Sequence, residues 1–200
     1  LEESLVKVSP ELSSIDGFFT PRNHSQLDKG DLDFGSGGVL LFPVDASSPE
    51  HLATAAGKDG KMYLLDREGL FAPGEGPHSN SLSITSIGEC YCAESFYIDD
   101  SGVSHIVTSG GDSLNVWHIL DNRKHRLIND ASVKGFKTKL DPSFFTSVSS
   151  NGTRDTIIWA LPHSYSPQRP EIFLQAFDPS QNLKPLVKLK AGEWPYEENP

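Results

Sequence analysis

Three groups of residues in this chain have types and spacings suited to chemistry. Asp28, Asp31 and Asp33, followed by Gly35, bring three carboxylates together at short intervals, as a calcium loop does. An EF-hand loop closes on an acidic residue near its twelfth position, and Val39 stands there instead, so these residues read as a solvated turn entering a strand at Gly38. Cys90 and Cys92 are the only cysteines and flank Tyr91. On a strand, positions i and i+2 share a face with Cα atoms about 6.5 to 7 Å apart, at or beyond the upper end of disulfide geometry. The expectation is therefore a pair of small buried thiols. Two cysteines need histidines to complete a four-ligand metal site, and none stands at a ligand spacing from them.

Seven histidines invite a search for a catalytic pair. His51 and His105 occupy equivalent places in a repeat described below, which predicts a shared structural task at the start of a strand rather than two active-site roles. No Gly-x-Ser-x-Gly elbow, phosphate loop or His-Glu-x-x-His helix occurs. Acyl transfer, phosphoryl transfer and zinc hydrolysis thus lack a motif. Asn23-His24-Ser25 and Asn151-Gly152-Thr153 fit the glycan-acceptor pattern, but such triplets arise by chance in a chain this rich in Ser and Thr.

The elements that would position these residues are short strands. Runs rich in β-branched and aromatic residues recur at 39–42, 51–56, 61–65, 104–109, 115–120, 156–161, 172–177 and 186–189, separated by Gly and Pro turns, and no window shows sustained helical spacing. The Ala-rich run from His51 favours a helix in isolation, but its length and the glycine turns on either side favour a strand. Seventeen basic residues against 27 acidic ones give a net charge of −10, which leaves no global field for nucleic acid. No apolar run approaches the roughly 20 residues of a spanning helix, so the chain reads as soluble. A start at Leu1 is read as the loss of upstream sequence.

Repetition sets the architecture. His51 to Gly57 followed by Lys61 to Asp66 lies over His105 to Gly111 followed by Asn115 to Leu120, at a constant offset of 54 positions. Thr156 to Leu161 and Ile172 to Asp178 form a third, looser copy. Each second strand ends in an apolar residue plus Asp, at Asp66, Asp121 and Asp178. An Asp there accepts backbone N–H bonds from residues two or three further on and closes a turn, and the strand that follows is expected to be the outermost and most polar of its sheet. Four-stranded antiparallel units of this length bury their faces by stacking about an axis. The expected fold is all-β, a β-propeller of four-stranded antiparallel blades forming a single segment over residues 1–200. Its repeat units fall at approximately 35–90, 91–145 and 146–190. At about 55 residues per unit, three to four blades are present, a partial ring where propellers usually close with four to eight. Gly35-Ser36-Gly37-Gly38 and Gly110-Gly111 are expected where neighbouring blades converge.

The stretches Asp16 to Asn23, Asp31 to Pro43 and Gly57 to Arg67, and the run from Ser149 through Leu161, resemble bacterial and fungal proteins with pyrroloquinoline-quinone-type propeller repeats. The resemblance covers most of the chain. It implies the repeat fold and a secreted or periplasmic setting, and it carries no single reaction, because such propellers include quinone-dependent dehydrogenases and non-catalytic scaffolds alike. The sequence departs from the pattern in two places. Adjacent cysteines are replaced by Cys90-Tyr91-Cys92, and the tryptophan after the turn glycine is absent after Gly69, where Leu70 and Phe71 stand.

Two functions compete. The first is a non-catalytic scaffold binding a protein, glycan or small ligand through loops on one face, with no cofactor and no metal. Its candidate loops are the turns Lys58-Asp59 and Asp112-Ser113, whose acidic bias favours a cationic or polar partner over phosphate. The second is a fragment of a pyrroloquinoline-quinone-dependent dehydrogenase or related redox enzyme, with calcium beside the quinone and the remaining blades as its partners.

Overall fold

A computed structural model of the chain describes residues 3–43, 51–70, 80–120, 125–136, 143–162 and 171–193. The described residues are mostly strand and form four antiparallel sheets, none closed on itself. A hairpin of β1 (Leu5–Val8) and β2 (Ile15–Phe19) comes first, followed by a short helix, α1 (His24–Gly30). Sheet 1 holds β3 (Val39–Leu41), β4 (Leu52–Ala56), β5 (Lys61–Asp66) and β6 (Ser81–Ser86). Sheet 2 holds β7 (Ser95–Ile98), β8 (Ser104–Thr108), β9 (Ser113–Ile119) and β10 (Leu127–Lys134). Sheet 3 holds β11 (Phe145–Asn151), β12 (Arg154–Leu161), β13 (Glu171–Asp178) and β14 (Lys184–Glu193). Within each sheet the spatial order follows the chain, and the last strand is a polar edge, half-buried in β6, mixed in β10 and largely exposed in β14.

Strand alternation makes the sheets stack. In β8, Ile106 joins Phe42, Met62, Leu64 and Ile87 in a core between sheets 1 and 2, while the next residue, Val107, joins Val116, Ile158, Ala160 and Phe177 between sheets 2 and 3. On the other side of sheet 1, Ala55, Tyr63 and Leu65 pack with Phe19, Leu27 and Phe34 of the hairpin and the α1 region. The molecule is therefore an open row of face-to-face sheets, an all-β partial propeller-like fold. A middle sheet is covered on both faces, and this explains why β4 is buried along its whole length. Its Leu-Ala-Thr-Ala-Ala composition suits two close neighbours, and packing on both faces overrides the intrinsic helical preference of alanine.

The sheets converge at the end carrying the β4–β5 and β8–β9 turns. The amide of Ile87 donates to Gly60 O at 2.8 Å, and the amide of Gly111 donates to Glu89 O at 2.8 Å, so each turn touches the linker that leaves β6. A Cβ on Gly88 would lie 2.8 Å from the backbone of Gly110 and Gly111, and one on Gly110 would strike the carbonyl of Ile87. Gly110 thus sits where the repeat predicted convergence. Gly37 does not, because its close neighbour is Ala56 of its own sheet.

The turn aspartates behave as expected where they are described. Asp66 Oδ1 accepts from the Glu68 amide at 2.9 Å, and Asp178 Oδ1 accepts from the Ser180 amide at 2.9 Å. Asp121 and Phe71 lie outside the described residues.

Candidate functional site

The cysteine expectation is overturned. Cys90 and Cys92 are disulfide-bonded with Cα atoms 5.1 Å apart. They lie not on a strand but in the irregular linker between β6 and β7, where the backbone folds back and brings their Cα atoms within bonding reach. Both are buried among the residues between sheets 1 and 2. Ser36 Oγ donates to Cys90 O at 2.7 Å, tying the linker to the segment that enters β3.

Two of the three acidic residues, Asp31 and Asp33, are engaged internally, while Asp28 lies exposed on α1. Asp31 caps α1 in the left-handed region, and the Lys58 ammonium lies 2.7 Å from Asp33 Oδ2 and 3.4 Å from Asp31 Oδ2. Its hydrogen bond to Asp33, with Asp31 adding to it, raises the lysine above its usual pKa. Of the candidate loop residues, Lys58 is therefore held by two carboxylates and approaches the Tyr91 ring at 5.4 Å. Asp59 accepts from the Lys61 amide at 3.2 Å and pairs with the Lys61 ammonium at 3.1 Å. Asp112 O accepts from the amides of Gly135 and Phe136, and Ser113 Oγ donates to Asp112 Oδ1 at 3.1 Å. The two turns occupy the same end of the stack, where Ile87 and Gly111 bond across to Gly60 and Glu89.

At the opposite end, sheets 2 and 3 part to form a cleft of about 860 Å³. Sheet 2 contributes Asp99 and Asp100 from the β7–β8 turn, His105 from β8 and Asp130 from β10. Sheet 3 contributes Arg154 and Asp155 at the start of β12 and Asp178 at the β13–β14 turn. Five carboxylates and one guanidinium line this space.

Sequence reasoning missed the group that organises the sheet 2 wall. The β8–β9 register sets His105 directly opposite His118, and β10 brings Asp130 beside both. His118 Nδ1 lies 2.6 Å from Asp130 Oδ1, His105 Nδ1 lies 3.2 Å from Asp130 Oδ2, and His105 Nε2 lies 2.9 Å from Asp99 Oδ2. The Tyr97 ring stacks on His105, with centroids 4.7 Å apart and planes at 13°. Carboxylates only accept, so both contacts of His105 are hydrogen bonds when the ring bears both protons. Burial pulls Asp99 upward, but the bond from His105 and the amides of Val103 and Ser101 outweigh it and hold the carboxyl below its ordinary pKa. Burial, reinforced by Asp130 and Asp99, pushes the Tyr97 phenol well above its own.

His51, the repeat equivalent of His105, also faces a carboxylate, Glu68, at 2.8 Å. The bond from His51, helped by Lys7, lowers the Glu68 pKa. The shared structural task holds to that extent, and His105 adds a second partner. The one signal available in the sequence was the histidine on the adjoining strand, His118, at the offset that pairing imposes.

Among the described residues, no group of three or more His, Cys, Asp or Glu side chains is placed to hold a metal ion. Asp31 and Asp33 face Lys58 rather than an open centre, so these carboxylates do not form a calcium set. No helix among them is long and apolar enough to cross a membrane. No protein-family model matches the chain, and no curated protein matches it either.

Proposed function

We propose that the chain is a non-catalytic propeller-type scaffold that binds a polar, cationic ligand in the cleft between sheets 2 and 3. One observation supports this reading above the others: an 860 Å³ opening whose walls carry Asp99, Asp100, Asp130, Asp155 and Asp178 against a single Arg154. Such a wall attracts ammonium or guanidinium groups on a small molecule or a basic peptide and repels phosphate. The rigid sheets hold the carboxylates in place, and the Asp99–His105–Asp130–His118 clamp fixes the two nearest the sheet 2 surface. The turn at Lys58 supplies less, because its ammonium is already paired with Asp33 and Asp31, and the turn at Asp112 offers a single exposed carboxylate.

The test is calorimetric titration of the chain with spermidine and with an arginine-rich peptide, followed by the same titration of Asp100→Asn/Asp155→Asn. Neither residue belongs to the clamp. Binding weakened roughly tenfold or more in the variant, and weakened again by salt, supports the proposal. Equal binding by the variant and the wild type, or none by the wild type, refutes it. The redox alternative is met by adding pyrroloquinoline quinone and calcium. A rise in melting temperature together with dye reduction by alcohols would displace the scaffold reading.

A further inference from the structure

Both ring nitrogens of His105 face carboxylates. Nε2 lies 2.9 Å from Asp99 Oδ2, and Nδ1 lies 3.2 Å from Asp130 Oδ2. A neutral imidazole carries one N–H, so it donates to one of these groups and turns a lone pair toward the other. Only the imidazolium satisfies both. His51, at the equivalent place in sheet 1, meets Glu68 through Nδ1 at 2.8 Å, and His118 meets Asp130 Oδ1 through Nδ1 at 2.6 Å. A neutral ring serves each of those contacts. Of these three histidines, His105 alone needs its second proton to keep its partners.

The surroundings fix what a change of charge on this ring does. Tyr97 of β7 stacks on it, and burial, reinforced by Asp130 and Asp99, keeps the phenol protonated through the neutral range. His118 of β9 and Asp130 of β10 stand beside it, and Asp99 and Asp100 come from the β7–β8 turn. Arg154, Asp155 and Asp178 line the same cleft from sheet 3. The contact to Asp130 Oδ2 is the longer of the two, so it is the one a neutral His105 gives up, while His118 keeps hold of Oδ1.

We propose that His105 makes the cleft a proton-gated cation site: as imidazolium it occupies both Asp99 and Asp130, and loss of one proton frees an Asp130 oxygen for an ammonium or guanidinium of the ligand. The inference rests on the cleft being the cation site proposed above and adds its regulation. Cation and proton compete for the same carboxylate. Ligand affinity therefore rises with pH across the range in which imidazole changes charge, and binding releases a proton to the solvent. One exchanged proton allows at most about a tenfold change in affinity per pH unit.

The test is calorimetric titration of the chain at about pH 5.5 and pH 7.5, at fixed ionic strength, with an arginine-rich peptide blocked at both ends. Guanidinium keeps its charge at both pH values, so the ligand itself does not titrate. The wild type should bind about tenfold more tightly at the higher pH. His105→Gln has no proton to lose and should bind equally at both, whereas His51→Gln should keep the wild-type dependence. Circular dichroism melts check that both variants are folded. Glu94, whose pKa burial pushes up to about 8, lies at the other end of β7 and stays in place in both variants, so its ionisation does not distinguish them. In the wild type, ring nitrogen spectra at about pH 6.5 should show His105 moving toward the neutral-imidazole pattern as peptide is added. Equal wild-type affinity at both pH values, a dependence that survives in folded His105→Gln or vanishes in His51→Gln, or a His105 ring that stays doubly protonated at saturation overturns the gate and leaves the cleft as a cation site. If the wild type binds no peptide at pH 7.5, the cleft reading falls and the gate falls with it.

Discussion

Replacing Glu94 by Gln should abolish most of the loss of stability that the protein suffers between pH 5 and pH 8.5. Glu94 stands just before β7, is 8% exposed, and neither carboxyl oxygen has a hydrogen-bond partner. It lies in the linker that enters β7, whose Phe96 packs between sheets 1 and 2. Burial pushes its pKa up from 4.5 to about 8, its own backbone N–H opposing weakly. The folded state therefore holds the proton more tightly than the unfolded chain does. Stability is full below about pH 4.5, falls as the pH rises toward 8, and is level above that, when the carboxyl is ionised in both states. At about 1.4 kcal/mol per tenfold change in proton affinity, the loss is on the order of 5 kcal/mol before water penetration reduces it. Gln copies the shape of the protonated acid without ionising. Urea unfolding followed by tryptophan fluorescence at both pH values gives the comparison directly. The wild type should lose several kcal/mol more than Glu94→Gln between them, and the two should be similar at pH 5. Parallel pH profiles would show that Glu94 is not held buried and uncharged, and would refute the burial that raises its pKa.

Other consequences follow from single groups. Asp99→Asn should cost about 1 to 2 kcal/mol at neutral pH, as expected for weakened hydrogen bonds to His105 and to the turn amides. The Asp99 carboxyl is held below 3.8, so its contribution is present above about pH 4 and lost as the pH falls through the lower folded value. The variant should therefore show a flatter acid-unfolding curve than the wild type. Gly88→Ala should cost about 3 kcal/mol or more, because its Cβ would stand 2.8 Å from the Gly110 backbone and the glycine has a φ of +86°; a circular dichroism melt reads the loss. Cys90→Ala/Cys92→Ala should cost only about 1 to 2 kcal/mol by denaturant titration, because a bridge between residues two apart restrains little of the unfolded chain.

Strands β3, β4, β5, β8, β9, β12, β13 and β14, the repeat and the place of the last strand at the sheet edge were legible in the sequence because each rests on local pattern: alternation, glycine turns, and an offset of 54 that survives in His51 and His105. Strands β1, β2, β6, β7, β10 and β11 were missed, the longer ones being serine-, asparagine- and lysine-rich edge strands without a clear apolar run. The turn aspartates were legible for the same reason, since an Asx turn spans two residues. The disulfide was not, because its reading assumed strand geometry for a segment that is irregular linker. Helix α1 was missed because it is a single short element of seven residues with one buried side chain, Leu27, too brief to show a period. The cleft lay beyond sequence reasoning for a different reason. Asp99, His105, His118 and Asp130 come from four different segments of sheet 2, and only the register of β8 with β9 and of β9 with β10 brings them together. The pairing depends on a shift between Asn129 and Ala131, which no local signal announces.

The account depends on consecutive sheets stacked face to face, with neighbouring residues of one strand looking into different cores. Methyl–methyl nuclear Overhauser effects in a selectively labelled sample test this at β8. Ile106 should show contacts to Met62 and Leu64 of sheet 1 and none to Ile158, while Val107 should show contacts to Ile158 of sheet 3 and none to Met62. If both residues contacted the same sheet, or neither contacted another sheet, the stack would be wrong, and the cleft between sheets 2 and 3 would fall with it.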